Sequence, residues 1–232
     1  MTTSISRPSL PPRAHTTDAA LRPQLPRRSS SLHKAVLTRL RPLPFQYIYS
    51  AWHSKPNSIS TPTPDTSPQA DPYVLTQLVE TVPDIAAFYR IFNNVPWCSI
   101  RQKESIHFFR SGVKPLWEDP ENIDGGCLVL KFRKEDGRAL RLWEEVCLMV
   151  CGGALQAAVS DERDHVLGMS YSPRLYWSHI SIWTKHGSNA RSVEKLKQAI
   201  LFGLSAELRP RSDEYYFKKH SDHTDWSGSA KP

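Results

Sequence analysis

The stretch Lys114-Pro115-Leu116-Trp117-Glu118-Asp119-Pro120 sets a tryptophan directly beside a carboxylate, between two prolines. An indole offers a flat π-face, and a neighbouring glutamate offers two acceptor oxygens at the edge of whatever stacks there. That pair suits a flat, positively charged base with two N–H donors on one edge, a description that 7-methylguanine meets. Delocalised charge on the base would add cation–π attraction to stacking. Bases stacked on aromatics and read along their Watson–Crick edge are the usual currency of single-stranded RNA recognition. The plainer alternative is a turn tryptophan that packs on the core while its acidic neighbour sits in solvent.

The surrounding residues favour the first possibility. Trp117-Glu118-Asp119-Pro120-Glu121-Asn122, followed by Gly125-Gly126, resembles the signature loop of the eukaryotic translation initiation factor 4E family, the mRNA cap-binding proteins. Phe108-Phe109-Arg110-Ser111-Gly112-Val113-Lys114-Pro115 is similar to the strand leading into that loop. Leu142-Trp143-Glu144-Glu145-Val146-Cys147-Leu148 resembles the family's second helix, and Ser181-Ile182-Trp183-Thr184 its late strand. The resemblance runs over about residues 42 to 225 with the motifs in order, and its variant features look closer to the class II branch, the 4E-homologous proteins.

This resemblance implies roles residue by residue. Trp117 would stack on the base, and Glu118 would accept its N1–H and N2–H bonds, rejecting adenine, whose edge lacks that donor pair. Trp183 would touch the N7 methyl, while also packing as a strand tryptophan does. The second stacking aromatic would be Tyr73, with Trp52 as the alternative. Arg174 would hold phosphate through its guanidinium fork. The accompanying family lysine is replaced by His179, which would grip phosphate less well when neutral and better when protonated. Lys185 and Lys218 or Lys219 are further cations that could reach the phosphates.

Two departures weaken the partner side of the pattern. Ala86, in Val82-Pro83-Asp84-Ile85-Ala86, stands where the family has a tryptophan that anchors helical motifs of scaffold or repressor proteins. Arg41-Pro42-Leu43 resembles a His-Pro-Leu entry whose histidine is gone.

The elements that must hold these residues follow from periodicity. Phe45–Trp52, Ser105–Arg110, Cys127–Arg133, Val166–Arg174, Trp177–Thr184 and Tyr215–Lys218 read as strands. Val82–Asn94, opening near Pro83, reads as a helix with Ile85, Phe88, Ile91 and Phe92 on one face; Arg138–Val150 and Ser192–Glu207 read as two more. Gly152-Gly153 reads as a helix C-cap. The predicted fold is α+β: a curved antiparallel sheet backed by three helices, with the binding slot on the concave face.

Charge is unevenly spread. Residues 1–41 hold eight Lys/Arg against one acid, Asp18, so this stretch carries the whole +7 of the 232-residue chain and the remainder is neutral. RNA binding by the folded part must therefore use a local pocket and not a broad phosphate-tracking face. Residues 1–40, rich in Pro, Ser and Arg, are expected to be disordered. Their acid-poor, Arg/Ser-rich composition resembles a mitochondrial transit peptide, but Pro8, Pro11, Pro12, Pro23 and Pro26 oppose the amphipathic helix one needs. Arg27-Arg28-Ser29-Ser30-Ser31 could accept phosphate from a basophilic kinase, although a solvated linker is the simpler reading. Residues 54–72 are expected to be a flexible loop, 41–225 the cap-binding domain, and 226–232 a tail.

Cys98, Cys127, Cys147 and Cys151 show no CxxC spacing and read as buried free thiols. His220-Ser221-Asp222-His223 is a weak metal pattern, and no metal or cofactor is expected. Glu144-Glu145 and Asp161-Glu162 read as solvated faces with no nucleophile paired to them, so no catalysis is expected. The expectation is a cytoplasmic, non-enzymatic protein that binds the 7-methylguanosine triphosphate cap of mRNA and acts in translation or its repression, with no membrane contact. A protein-interaction module on the same fold is the alternative.

Overall fold

The computed structural model describes residues 42–57, 73–134 and 137–222. The tail expected over 1–40, the tail over 226–232 and most of the loop expected over 54–72 lie outside the described residues. Seven strands form one antiparallel sheet: β1 (Pro44–Pro56), β2 (Tyr73–Asp84), β3 (Ser105–Arg110), β4 (Gly126–Arg133), β5 (Val166–Pro173), β6 (Trp177–Thr184) and β7 (Tyr215–Lys219). Their order across the sheet is β2-β1-β3-β5-β6-β4-β7. Among the described residues four helices accompany it: α1 (Ile85–Phe92), α2 (Ala139–Cys151), α3 (Ala154–Val159) and α4 (Ala190–Gly203).

Alternation decides which face is which. Phe108, Met169, Ile182 and Leu128 stand opposite one another across β3, β5, β6 and β4, and all are buried in the main core with Trp143, Val146 and Val150 of α2 and Leu196 and Ile200 of α4. Residues one step along each strand, Phe109, Gly168, Trp183 and Cys127, must then face the other side. Trp143 is fully buried at the centre of the helix side. It lies against Phe108 and Tyr171 with ring centroids 6.1 and 5.9 Å apart.

Several expectations need correction. Residues 54–56 extend β1 and do not open a loop. Strand β2 takes in residues 73–81, for which no element was expected, and residues 82–84, which were read as the start of a helix. Its proline is tolerated because β2 is an edge strand. The helix begins only at Ile85, where Asp84, in extended conformation, accepts a 2.7 Å bond from the Ala87 N–H and so fixes the N-terminus. Three predicted helices become four, because Gly153, at φ +80°, turns the chain out of α2 and straight into α3. Cys98 is exposed, whereas the other three thiols are buried as expected.

One buried titratable group sits on the sheet itself. His107 is flanked by Ser54 Oγ at 2.9 Å from Nε2 and Ser170 Oγ at 2.7 Å from Nδ1. Burial, with a smaller contribution from His53, pushes its pKa down to about 3. An unfolded imidazole titrates near about 6.5, so the folded state binds fewer protons below that value and stability is lost as pH falls from there towards 3. Wild type should therefore lose stability on acidification more steeply than His107→Gln, by up to about 1.4 kcal/mol per pH unit below pH 6.5. Denaturant titrations at several pH values measure this, and equal slopes for the two proteins would mean that His107 is already protonated in the fold.

Candidate functional site

On the face away from the main core, a second apolar cluster joins Phe109, Val113, Cys127, Val129 and Trp183, with Trp117 packed half-buried against it. Phe109 meets Trp183 edge-on at 5.1 Å. Trp117 is not carried by a strand. It stands in the connection between β3 and β4, and that connection is tied down by two short polar side chains.

Asp119 accepts from the Lys114 and Glu121 N–H groups at 2.9 and 3.0 Å. Asn122, wholly buried, donates to the carbonyls of Lys114 and Leu116 at 2.8 Å each. Its own carbonyl oxygen lies 2.7 Å from His220 Nδ1, and the His220 ring rests on Trp183 at 4.5 Å. Gly125-Gly126 then enters β4 so tightly that a Cβ on Gly125 would strike the Thr184 carbonyl, and one on Gly126 would lie 2.6 Å from the Phe217 ring. The loop residues around Trp117-Glu118 thus act as clamps. The Glu118 carboxylate is exposed and makes no hydrogen bond or ion pair among the described residues.

Strand β6 then runs away from this end. Trp183, Ser181, His179 and Trp177 share one face, opposite Cys127, Val129, Lys131 and Arg133 of β4. His179 faces Lys131 directly, and Ser172 on its other side. Arg174 occupies the β5–β6 turn, where its N–H donates to the Trp177 carbonyl at 2.7 Å, and its side chain is exposed. Burial first, then the positive charges of Arg174 and Lys131, press the His179 pKa down to about 4. This replaces the possibility of a half-protonated His179 near neutrality: the imidazole is neutral there, and the positive charge belongs to Arg174 and Lys131. Lys185 is held by Glu121 at 2.7 Å.

The structure therefore brings together Trp117, Glu118 and Trp183 at one end and Arg174 and His179 at the other. Tyr73 starts β2 opposite Pro56 and is exposed. It shares the pocket face, but Ser50, opposite Phe109, lies six residues from Pro56, about 20 Å along the strand. Trp52 is closer in register, opposite His107 on the same face, with its indole N–H buried and without a hydrogen-bond partner. His220 is taken up by packing and His223 lies outside the described residues; among the described residues no three His, Cys, Asp or Glu side chains gather as metal ligands. Sequence reasoning missed Lys131. Its signal was available, since it follows Cys127 and Val129 at a spacing of two.

The family model for Eukaryotic initiation factor 4E matches residues 44–231. The chain belongs to that family. Among its relatives, the factor NCBP of Arabidopsis thaliana is 27% identical over 158 residues, 68% of this chain and 65% of the relative. Factor 4E-4 of Caenorhabditis elegans is 31% identical over 120 residues, 52% of each chain. The matched part thus spans between about half and two thirds of these relatives' own length. The fold matches Ascaris suum eIF4E-3 with m7G cap, at a TM-score of 0.63 and 19% identity over 79% of this chain and 94% of that one. It also matches Schistosome eIF4E complexed with m7GpppG and 4E-BP, at 0.66 and 20% over 83% and 97%.

Family membership leaves the charge state of this particular pocket to be measured. In the free protein the His179 imidazole should titrate below about pH 5, followed by NMR of the ring protons. A midpoint at 6.5 or above would mean that the ring is neither desolvated nor pressed by Arg174 and Lys131.

Proposed function

We propose that this protein binds the 7-methylguanosine cap of mRNA and thereby acts in translation initiation or its repression, as a binding protein and not an enzyme. The observation that carries this reading is the Trp117–Glu118 step. A clamped loop holds a half-buried indole over an apolar floor, next to a carboxylate with no protein partner among the described residues. Trp117 stacks on the base, Glu118 reads its edge, and Trp183 contacts the methyl group from the floor. Arg174, with neutral His179 beside it as a hydrogen-bonding group, takes the phosphates. The m7G cap bound by Ascaris suum eIF4E-3 supports the assignment. The cytoplasm is the compartment this function requires.

Retention on immobilised 7-methyl-GTP, competed by the methylated and not by the unmethylated nucleotide, tests the reading; a folded protein that is not retained would leave the interaction module as its function. Trp117→Ala should weaken cap binding by about 5- to 160-fold, the range of about 1–3 kcal/mol for one stacked base. Glu118→Gln should blur the preference for guanine, because one acceptor becomes a donor facing donors. Arg174→Ala should lose more affinity for the di- and triphosphate forms than for the bare methylated nucleoside. Two aromatics on the pocket face are available for the other side of the base. Tyr73→Ala and Trp52→Ala separate them, since only the true stacking partner will match the loss seen with Trp117→Ala.

On the helix side, we infer that 4E-binding scaffold or repressor proteins dock weakly. Such proteins occupy the relatives: Mextli on C. elegans eIF4E-3 and 4E-BP on Schistosome eIF4E. Here Ala86 is half-buried, while Ala87, Phe88 and Phe92 turn into the core. Losing a large aromatic anchor typically costs about 2 kcal/mol or more, roughly thirtyfold in affinity. A Tyr-x-x-x-x-Leu peptide should bind Ala86→Trp at least about tenfold more tightly than wild type by titration. Equal affinity would move the anchor to another side chain, such as Tyr89.

A further inference from the structure

The phosphate end of the pocket face does not stop at His179. Trp177 lies one step further along β6, half-buried, and Tyr216 stands opposite Val129 on β7, 40% exposed. Both face the same side as Trp183. Three cations are threaded between them. The Arg133 guanidinium lies 5.0 Å over the Trp177 ring. The Lys131 ammonium lies 5.4 Å from the Tyr216 ring centroid and 6.0 Å from that of Trp177. Arg174 sits in the turn immediately before Trp177, with Leu175 and Tyr176 at its exposed tip. Among the described residues no carboxylate pairs with Lys131, Arg133 or Arg174.

This is a different composition from the base end. There, one carboxylate and apolar walls suit a cationic base. Here, cations alternate with aromatic faces and no acid offsets them, the arrangement that single-stranded nucleic acid selects: backbone charge on the cations, bases on the rings or on a guanidinium plane. The spacing fits a chain that continues from the pocket. From Trp183 to Trp177 is six residues, about 20 Å along the strand. Between them on that face lie, in order, the Ser181 hydroxyl and the neutral His179 imidazole beside two cations, before the indole of Trp177. A base, a run of phosphates and a second base laid along β6 would meet those groups in that sequence.

We propose that Trp177, Tyr216, Lys131 and Arg133 form a second RNA subsite that binds the nucleotide following the cap. The proposal rests on the cap-binding reading and deepens it by assigning this chain a grip on the RNA body as well as on the cap. Arg133 serves both purposes, since a guanidinium already stacked on Trp177 presents its outer plane to a base and its edge to a phosphate. The subsite supplies affinity with little sequence preference, because every base has a π-face.

The test compares binding of 7-methyl-GTP with that of a capped five-nucleotide RNA and its uncapped counterpart, by titration of the full chain. Wild type should bind the capped RNA at least about tenfold more tightly than 7-methyl-GTP. Trp177→Ala should remove most of that advantage while leaving 7-methyl-GTP affinity within about twofold. Trp177→Phe should restore much of it. Arg133→Glu changes an exposed side chain that folding does not need. It should remove the same advantage and lower the salt slope of capped-RNA binding by about 0.7 for each phosphate that is no longer neutralised. Equal wild-type affinity for the two capped ligands, or equal losses for both in the variants, would overturn the subsite and leave cap binding standing. A wild type that binds no 7-methyl-GTP would remove the cap reading instead. The subsite is then judged on the uncapped RNA, where binding abolished by Trp177→Ala and Arg133→Glu supports it and no binding overturns it.

Discussion

Ile180 and Ile182 are drawn to the helix side of β6 because their alkyl side chains leave water there completely. A strand alternates with a period of two, so that single preference forces Trp177, His179, Ser181 and Trp183 onto the opposite face. The same constraint acts on β4, where Leu128, Leu130 and Phe132 face the helices and Cys127, Val129, Lys131 and Arg133 do not. The pocket is thus the obligatory other side of the core. A one-residue slip in either strand would bury lysine, arginine and histidine against Trp143 and turn isoleucine and leucine towards solvent. Packing free energy on one face therefore holds the chemistry of the other in register.

The pocket face is graded along that register. At the Trp183 end the wall is apolar enough that burial lifts the Cys127 thiol to about 12, and Glu118, next to Trp117 in the loop, supplies an exposed carboxylate. At the Trp177 end the wall is cationic. His179 lies between, neutral because its own burial and two neighbouring positive charges disfavour a third. The arrangement sets a neutral donor or acceptor on β6 and the positive charge of Lys131 directly opposite it on the adjoining strand, about 4.8 Å away. The folded part can be electrically neutral and still hold a polyanion, because the positive charges are gathered on a few cross-strand neighbours.

Much of this was legible before any coordinates, and the reasons for the exceptions are physical. The Trp117–Glu118 loop is contiguous in sequence, so its chemistry shows directly. The six strands and three longer helices with a buried stripe show through their periodicity. Strand β2 did not, because an edge strand with only Val82 fully buried carries almost no alternation, and the Pro83-Asp84 pair reads as a helix start one turn too early. Helix α3 was hidden by its six residues. Lys131 and the Asn122–His220–Trp183 contacts are assembled across strands and across 98 residues of chain, a scale on which local pattern is silent. The Tyr73 and Trp52 alternative persists for the same reason: register across β1 and β2 is a tertiary property, set by bulges at Tyr49, Ala51 and Trp52.

The two faces of the sheet can diverge separately, and the position of Ala86 shows how. Helix α1 is fixed by the Asp84 cap at its start and by Ala87, Phe88 and Phe92 in the core. None of these interactions involves the side chain of residue 86. Exchanging a large aromatic there for alanine removes surface from the helix side without touching the packing that holds β1 and β3 in place, and hence without moving Trp52, His107 or Phe109 beneath the pocket. The converse holds for Trp117, whose loop is clamped by Asp119 and Asn122 and not by the helices. A sheet whose one face is core and whose other face is pocket thus allows protein docking and ligand binding to be lost or kept independently, because the only structure they share is the hydrogen-bonded ladder between them.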